Sequence, residues 1–239
     1  MADTSEQAKR TRKLGARLVA GAISNALIYG VPLFLAAWTW NWWRAWVVVA
    51  VALLGTIGSL VSLSRASTGL LEERLKLPVQ KGQPVADRFV LILLFATYFG
   101  LLVFIPLDVF RLHLMSKPGT IASRLGLVLF LVGFWIAHRS LRENAFAAPV
   151  IKHQEERKHA VVDTGVYSIL RHPMYLGGVI LVVGLPLWLE SYAGALLAAV
   201  PMAVLAARIL IEERFLRREL AGYEAYTQKV RFRLIPYVW

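Results

Sequence analysis

Two short blocks of this chain hold side chains able to do chemistry. Gly165-Val-Tyr167-Ser-Ile-Leu-Arg171-His172-Pro173-Met174-Tyr175-Leu-Gly177-Gly178 opens an apolar hairpin, and Arg208-Ile-Leu-Ile-Glu212-Glu213 closes it. A charged and aromatic cluster therefore brackets two membrane-length apolar segments. Polar groups at such a boundary are costly unless they bind something, which marks the cluster as a ligand site. Arg208 and Glu212 are four apart, so on a helix they share a face. That pair reads either as an interfacial ion pair ending a span or as a site. In a site, the guanidinium would hold a carboxylate or phosphate bidentately and the Glu would accept hydrogen bonds from a ribose diol or an ammonium. His172 precedes Pro173, and proline biases its predecessor away from helix. The His thus stands at a helix entrance, where backbone N–H groups suit the carboxylate of an amino-acid-like ligand.

The elements that must position these groups are membrane helices. The chain has 239 residues, is 57% hydrophobic and contains no cysteine, so disulfides and thiolate metal sites are excluded. Its apolar runs predict spans at 18–40, 45–63, 89–107, 121–141, 174–189 and 191–211. The expected fold class is all-α: a polytopic integral membrane protein of five to six membrane helices, with a C-terminal hairpin over 174–211. Beyond Arg208 an amphipathic helix leaves the membrane, with a bend at Gly222. Three regions follow: a basic N-terminus (1–17), four spans (18–143) and a C-terminal region (144–239). The run from Leu18 is too long for a signal-peptide core and reads as a retained helix.

The net charge of +12 does not point to nucleic acid, because the bases flank apolar segments. All but Arg44, Arg111, Lys117 and Arg124 of the 27 Lys and Arg fall on one side of the predicted bilayer. That asymmetry predicts both termini, both long loops and both chemical blocks on the cytoplasmic face. Leu70–Pro78 reads as a short amphipathic helix on the bilayer surface, and Asn41-Trp42-Trp43-Arg44 as an aromatic anchor. His153 and His159 flank Gln154–Lys158 without the spacing of a zinc site, so a solvated loop is expected and no metal. His113 and His138 read as packing residues. Gly126 and Gly133 permit close helix contacts but lack the four-residue spacing of the usual dimer motif.

No glycine-rich phosphate loop and no Ser/His/Asp set is present, so any cofactor must lie among helices and loops. Within the last third, His159-Ala160-Val161-Val162-Asp-Thr-Gly165-Val-Tyr167, then Arg171-His172-Pro173-Met174-Tyr175, then Arg208-x-x-x-Glu212-Glu213 and Tyr223-x-x-Tyr226 follow in order. This series resembles the isoprenylcysteine carboxyl methyltransferase family, within the membrane methyltransferases that include phospholipid N-methyltransferases. The first 140 residues match only in hydropathy. The resemblance implies S-adenosylmethionine as methyl donor on the cytoplasmic side of a prokaryotic inner membrane. It implies a cofactor pocket formed by His159, Ala160, Val161, Val162, Gly165, Tyr167, Arg171, His172, Pro173, Met174, Tyr175, Glu212 and Glu213. It further implies Arg208 and Glu212 as the catalytic pair, with Arg208 facing a lipophilic, carboxylate-bearing or otherwise anionic acceptor. Two rival readings are an NADPH-dependent sterol or enone reductase, using Arg171, Arg208, Arg214, Arg217 and Arg218 for the extra phosphate, and a non-catalytic membrane scaffold.

Overall fold

The structure, a computed structural model, describes residues 2–66, 83–144, 146, 150–151 and 160–239, with side chains at 15–16, 19–59, 61–62 and from 83 on among these. His159, His153 and the 70–78 segment lie outside the described residues. The described chain is all-helical. In order come α1 (Ala2–Ala37), α2 (Trp43–Ala66), α3 (Val85–Leu107), a π turn (Asp108–Leu112) and α4 (Thr120–Glu143). A 3-10 turn (Gly165–Ser168), α5 (Pro173–Trp188), α6 (Tyr192–Leu197), α7 (Ala199–Glu219) and α8 (Tyr223–Lys229) complete it.

Among the described residues, four stretches are long and apolar enough to cross a membrane: Val19–Ala37, Val85–Leu112, Thr120–Glu143 and Tyr192–Glu219. Trp43–Ser59 and Pro173–Trp188 are apolar but shorter. The predicted spans thus all appear as helices, with two differences. The first begins at Ala2, because the basic N-terminal residues continue the helix instead of preceding it. The last is interrupted at Ala198. Pro201, in the first turn of α7, has no N–H to bond the preceding turn, so a short α6 capped by Ser191 precedes the long α7. Large apolar side chains point outward along these helices, among them Leu35, Leu54, Phe89, Ile121 and Trp135. A lipid-facing surface has this character.

Polar pairs and glycines hold the helices together, as they must where lipid is as apolar as the core. The Tyr29 and Tyr98 hydroxyls meet at 3.1 Å across α1 and α3. Asn25 bonds Thr56 across α1 and α2, and Ser59 bonds His138 across α2 and α4.

The tightest contact is between α4 and α5. A Cβ on Gly126 would meet the Trp188 backbone N at 2.5 Å, and one on Gly133 the Gly177 carbonyl oxygen at 2.5 Å. The reciprocal positions are Gly177, against Ala137 N at 2.7 Å, and Gly184, against Phe130 N at 2.5 Å. The helices run antiparallel with glycine on glycine at seven-residue spacing, so the two backbones touch. The α4 glycines therefore serve a contact within the chain.

The membrane end away from the chemical blocks has its own polar clamp. Arg44 reaches Glu190 at 3.0 Å and the Trp188 carbonyl at 3.0 Å, bonds Ser123, and lies against the Trp43 and Trp188 rings. Asp108 accepts from Ser191 Oγ at 2.6 Å and from the Leu114 N–H at 2.9 Å. The Asn41–Arg44 turn is thus a helix clamp as well as an interfacial anchor.

Candidate active site

Three elements converge at the opposite end. The first turn of α5 presents His172, Met174 and Tyr175. Pro173 occupies the first helical position, where a missing N–H costs nothing and the fixed φ suits the helix. The second element is α7, which presents Arg208, Glu212 and Glu213. The third is the segment leading into the 3-10 turn, which begins on Gly165 at φ +54°. Only glycine takes that conformation readily. A side chain there would also collide with Glu143, whose carboxylate accepts the Val166 N–H at 2.7 Å. Gly165 thus sets the turn that carries Tyr167 inward.

Glu213 is the hub. It is 3% exposed, and its carboxylate lies 3.2 Å from Arg171 Nε, 3.2 Å from His172 Nε2 and 2.9 Å from Arg233 Nε. One acid therefore ties α7 to the entrance of α5 and to the C-terminal tail. Burial pulls the Arg171 guanidinium below the usual arginine range, against the opposing pull of Glu213. The Arg171 and His172 amides donate to the Phe232 and Arg233 carbonyls, at 3.0 and 2.9 Å. Part of the expected open helix entrance is thereby occupied, since the His172 amide is one of its donors. The tail pairs with that backbone like a short strand and takes up the two donors preceding Pro173.

Glu212, next in sequence, has a different environment. It accepts a 2.6 Å hydrogen bond from the Tyr175 hydroxyl and stands in the wall of a cavity. The cavity is a cleft partly open to solvent. Its described lining includes Ala160, Val161, Val162, Tyr167, Arg171, His172, Met174, Tyr175 and Glu212. Residues from both sequence blocks are therefore brought together. Gly165, Pro173, Glu213 and Arg208 stand outside that lining, the first three as supports of it.

Arg208 turns toward α3. Its Nε donates to Asp87 Oδ1 at 3.1 Å, and its guanidinium carbon lies 5.7 Å from the Tyr175 ring centre. Asp87 is 0% exposed. Of the bases that a nucleotide phosphate would need, Arg171 and Arg208 are committed to carboxylates, and Arg217 bonds Glu224.

The sequence reading missed part of this wall. Asn144, Phe146, Val150, Ile151, Leu216, Leu220, Tyr223 and Tyr226 also line the cavity. Tyr226 donates to the Tyr167 carbonyl at 2.8 Å, and burial pushes the Tyr223 and Tyr226 phenols well above the usual tyrosine range. Asp87 was missed as well. Its signal was an acid in the first turn of an apolar span, which is rare without a partner.

Among the described residues, such a wall offers tyrosine rings and apolar side chains for a heterocycle and the Glu212 carboxylate for a diol or a cation. Residues 121–221 match the family model of phospholipid methyltransferase, a membrane methyltransferase family related to the one that the two blocks resemble. No curated protein matches the chain.

Proposed function

We propose that this protein is an integral membrane S-adenosylmethionine-dependent methyltransferase. Its acceptor would be a lipophilic molecule with an anionic or otherwise polar head, reached at the cytoplasmic face. The observation that carries the reading is the meeting of the two blocks, some thirty residues apart or more in sequence, at one cavity inside or beside the segment that matches methyltransferases. The same cytoplasmic orientation is inferred from the distribution of Lys and Arg.

The donor fits the residues present. Adenine is suited to the apolar and aromatic wall of Val161, Val162, Tyr167, Tyr223 and Tyr226. Glu212 would accept from the ribose diol or lie near the sulfonium, and the rings of Tyr175 and its neighbours favour a cation. When bound, the donor supplies an activated methyl group for in-line displacement by the acceptor. The chain's own residues have the task of positioning, which can lower such a barrier substantially. Tyr175 fixes the Glu212 carboxylate through the 2.6 Å bond. Glu213 locks the Arg171–His172 corner. Arg208, beside Tyr175 but outside the cavity lining, would orient the acceptor head. Since Asp87 already offsets its charge, its contribution would come mainly from directed N–H groups.

The reading is tested by titrating S-adenosylhomocysteine into the detergent-purified protein. Binding by wild type that is lost in Glu212→Ala supports it. NADPH binding in place of S-adenosylhomocysteine would reverse it in favour of a reductase.

A further inference from the structure

The Asp87 carboxylate is the most completely buried charge among the described residues, and each of its oxygens serves a different part of the molecule. Oδ1 accepts from Arg208 Nε at 3.1 Å on α7. Oδ2 accepts from the Ile151 backbone N–H at 3.0 Å and from Gln83 Nε2 at 2.7 Å. Ile151 and its neighbour Val150 form part of the cavity wall. Arg208 does not, yet it belongs to the same acid. An ionised carboxylate held dry is tolerated only while its partners stay in place. The wall segment and the guanidinium therefore cannot shift independently.

We infer that Asp87 is a positioning residue that couples the 150–151 wall of the cavity to the orientation of Arg208. The inference deepens the methyltransferase reading and rests on it for its meaning in turnover. In that setting, the acid that holds the wall beside the donor also holds the arginine for the acceptor. The arrangement also explains why α3, a mostly apolar helix, carries an acid in its first turn. A carboxylate at that first turn is favoured by the helix dipole, and it stands at the level where α7 presents Arg208.

The test is amide hydrogen exchange on the full chain in lipid nanodiscs, with S-adenosylhomocysteine affinity measured alongside. Arg208→Met leaves Asp87 and Ile151 untouched. The coupling predicts that it nevertheless speeds exchange at Ile151 about tenfold, the loss of roughly one hydrogen bond's protection. Asp87→Asn gives a similar change, the double variant adds little, and Asp87→Glu, which keeps the charge, restores most of the protection. Exchange in α4 and α5 stays at the wild-type level, and S-adenosylhomocysteine binding weakens in step with the loss at Ile151. Unchanged Ile151 exchange in Arg208→Met, or exchange raised equally in every helix, would overturn the inference. Coupled exchange in a wild type that binds no S-adenosylhomocysteine would uphold the coupling and remove the methyl-donor reading.

Discussion

Glu212 and Glu213 are adjacent in sequence, yet the structure gives them separable duties, and substituting each in turn tests that separation. Glu213→Ala removes the only described carboxylate contacting Arg171 and His172, whose side chains are each 5% exposed. Removing one partner from a buried ion pair costs about 3–5 kcal/mol, since a charge stays behind without compensation. The third partner, Arg233, is 31% exposed at its side chain and adds less than about 1 kcal/mol once solvent screening is counted. The expected loss is therefore about 3–5 kcal/mol, a large share of a typical total stability of roughly 5–15 kcal/mol. Glu213→Gln retains an acceptor oxygen and is expected to lose roughly half as much. Glu212→Ala deletes one hydrogen bond from Tyr175 at a half-buried site and is expected to cost about 1 kcal/mol. Denaturant titration in detergent measures all three, with ligand titration on the folded fractions. The predicted pattern is loss of stability at 213 and loss of binding at 212. A Glu213→Ala protein within about 1 kcal/mol of wild type would refute the hub, and with it the account of how the corner of α5 is held.

Other outcomes follow from the same geometry. Gly177→Ala forces a Cβ to 2.7 Å from two α4 backbone atoms, and overpacking of this kind costs about 1–3 kcal/mol. Gly178→Ala next to it meets nothing within 4 Å, so it is expected to be neutral or to stabilise by up to about 1 kcal/mol; thermal unfolding separates the two. Tyr226→Phe removes the bond to the Tyr167 carbonyl and is expected to cost about 1 kcal/mol. Because burial raises the Tyr223 and Tyr226 pKa values in the folded state, the unfolded chain loses those protons first as pH climbs. Their contribution is complete below about pH 10 and declines above it. The two Phe variants should flatten that alkaline decline in a pH series of unfolding curves. Arg44→Met leaves Glu190 without its described partner and opens the clamp at the far membrane end, which should lower the melting temperature without changing ligand affinity.

How far the sequence exposed this structure depended on whether information lay within one segment or between two. Apolar runs near 20 residues declare themselves, so the spans were legible, and Pro173 and Gly222 marked true helix boundaries. The two chemical blocks were legible because residue types and order identified them, and they do meet at one cavity. Pairings between distant elements were not. Asp87 and Arg208 lie 121 residues apart, and nothing local says that one answers the other. The glycines of α4 could be seen to permit close approach, but their partners in α5 could not. The entrance of α5 was expected to offer donors, and the tail carbonyls of Phe232 and Arg233 take the Arg171 and His172 amides just ahead of it, a contact that only tertiary folding creates.

The central claim is that this cavity holds a methyl donor. The most direct measurement is calorimetric titration of S-adenosylmethionine, S-adenosylhomocysteine and NADPH into the purified, folded protein, with Glu212→Ala beside wild type. The account predicts that the first two bind wild type and fail to bind the variant, and that NADPH does not bind. Binding of NADPH alone, or of none of the three, would contradict it.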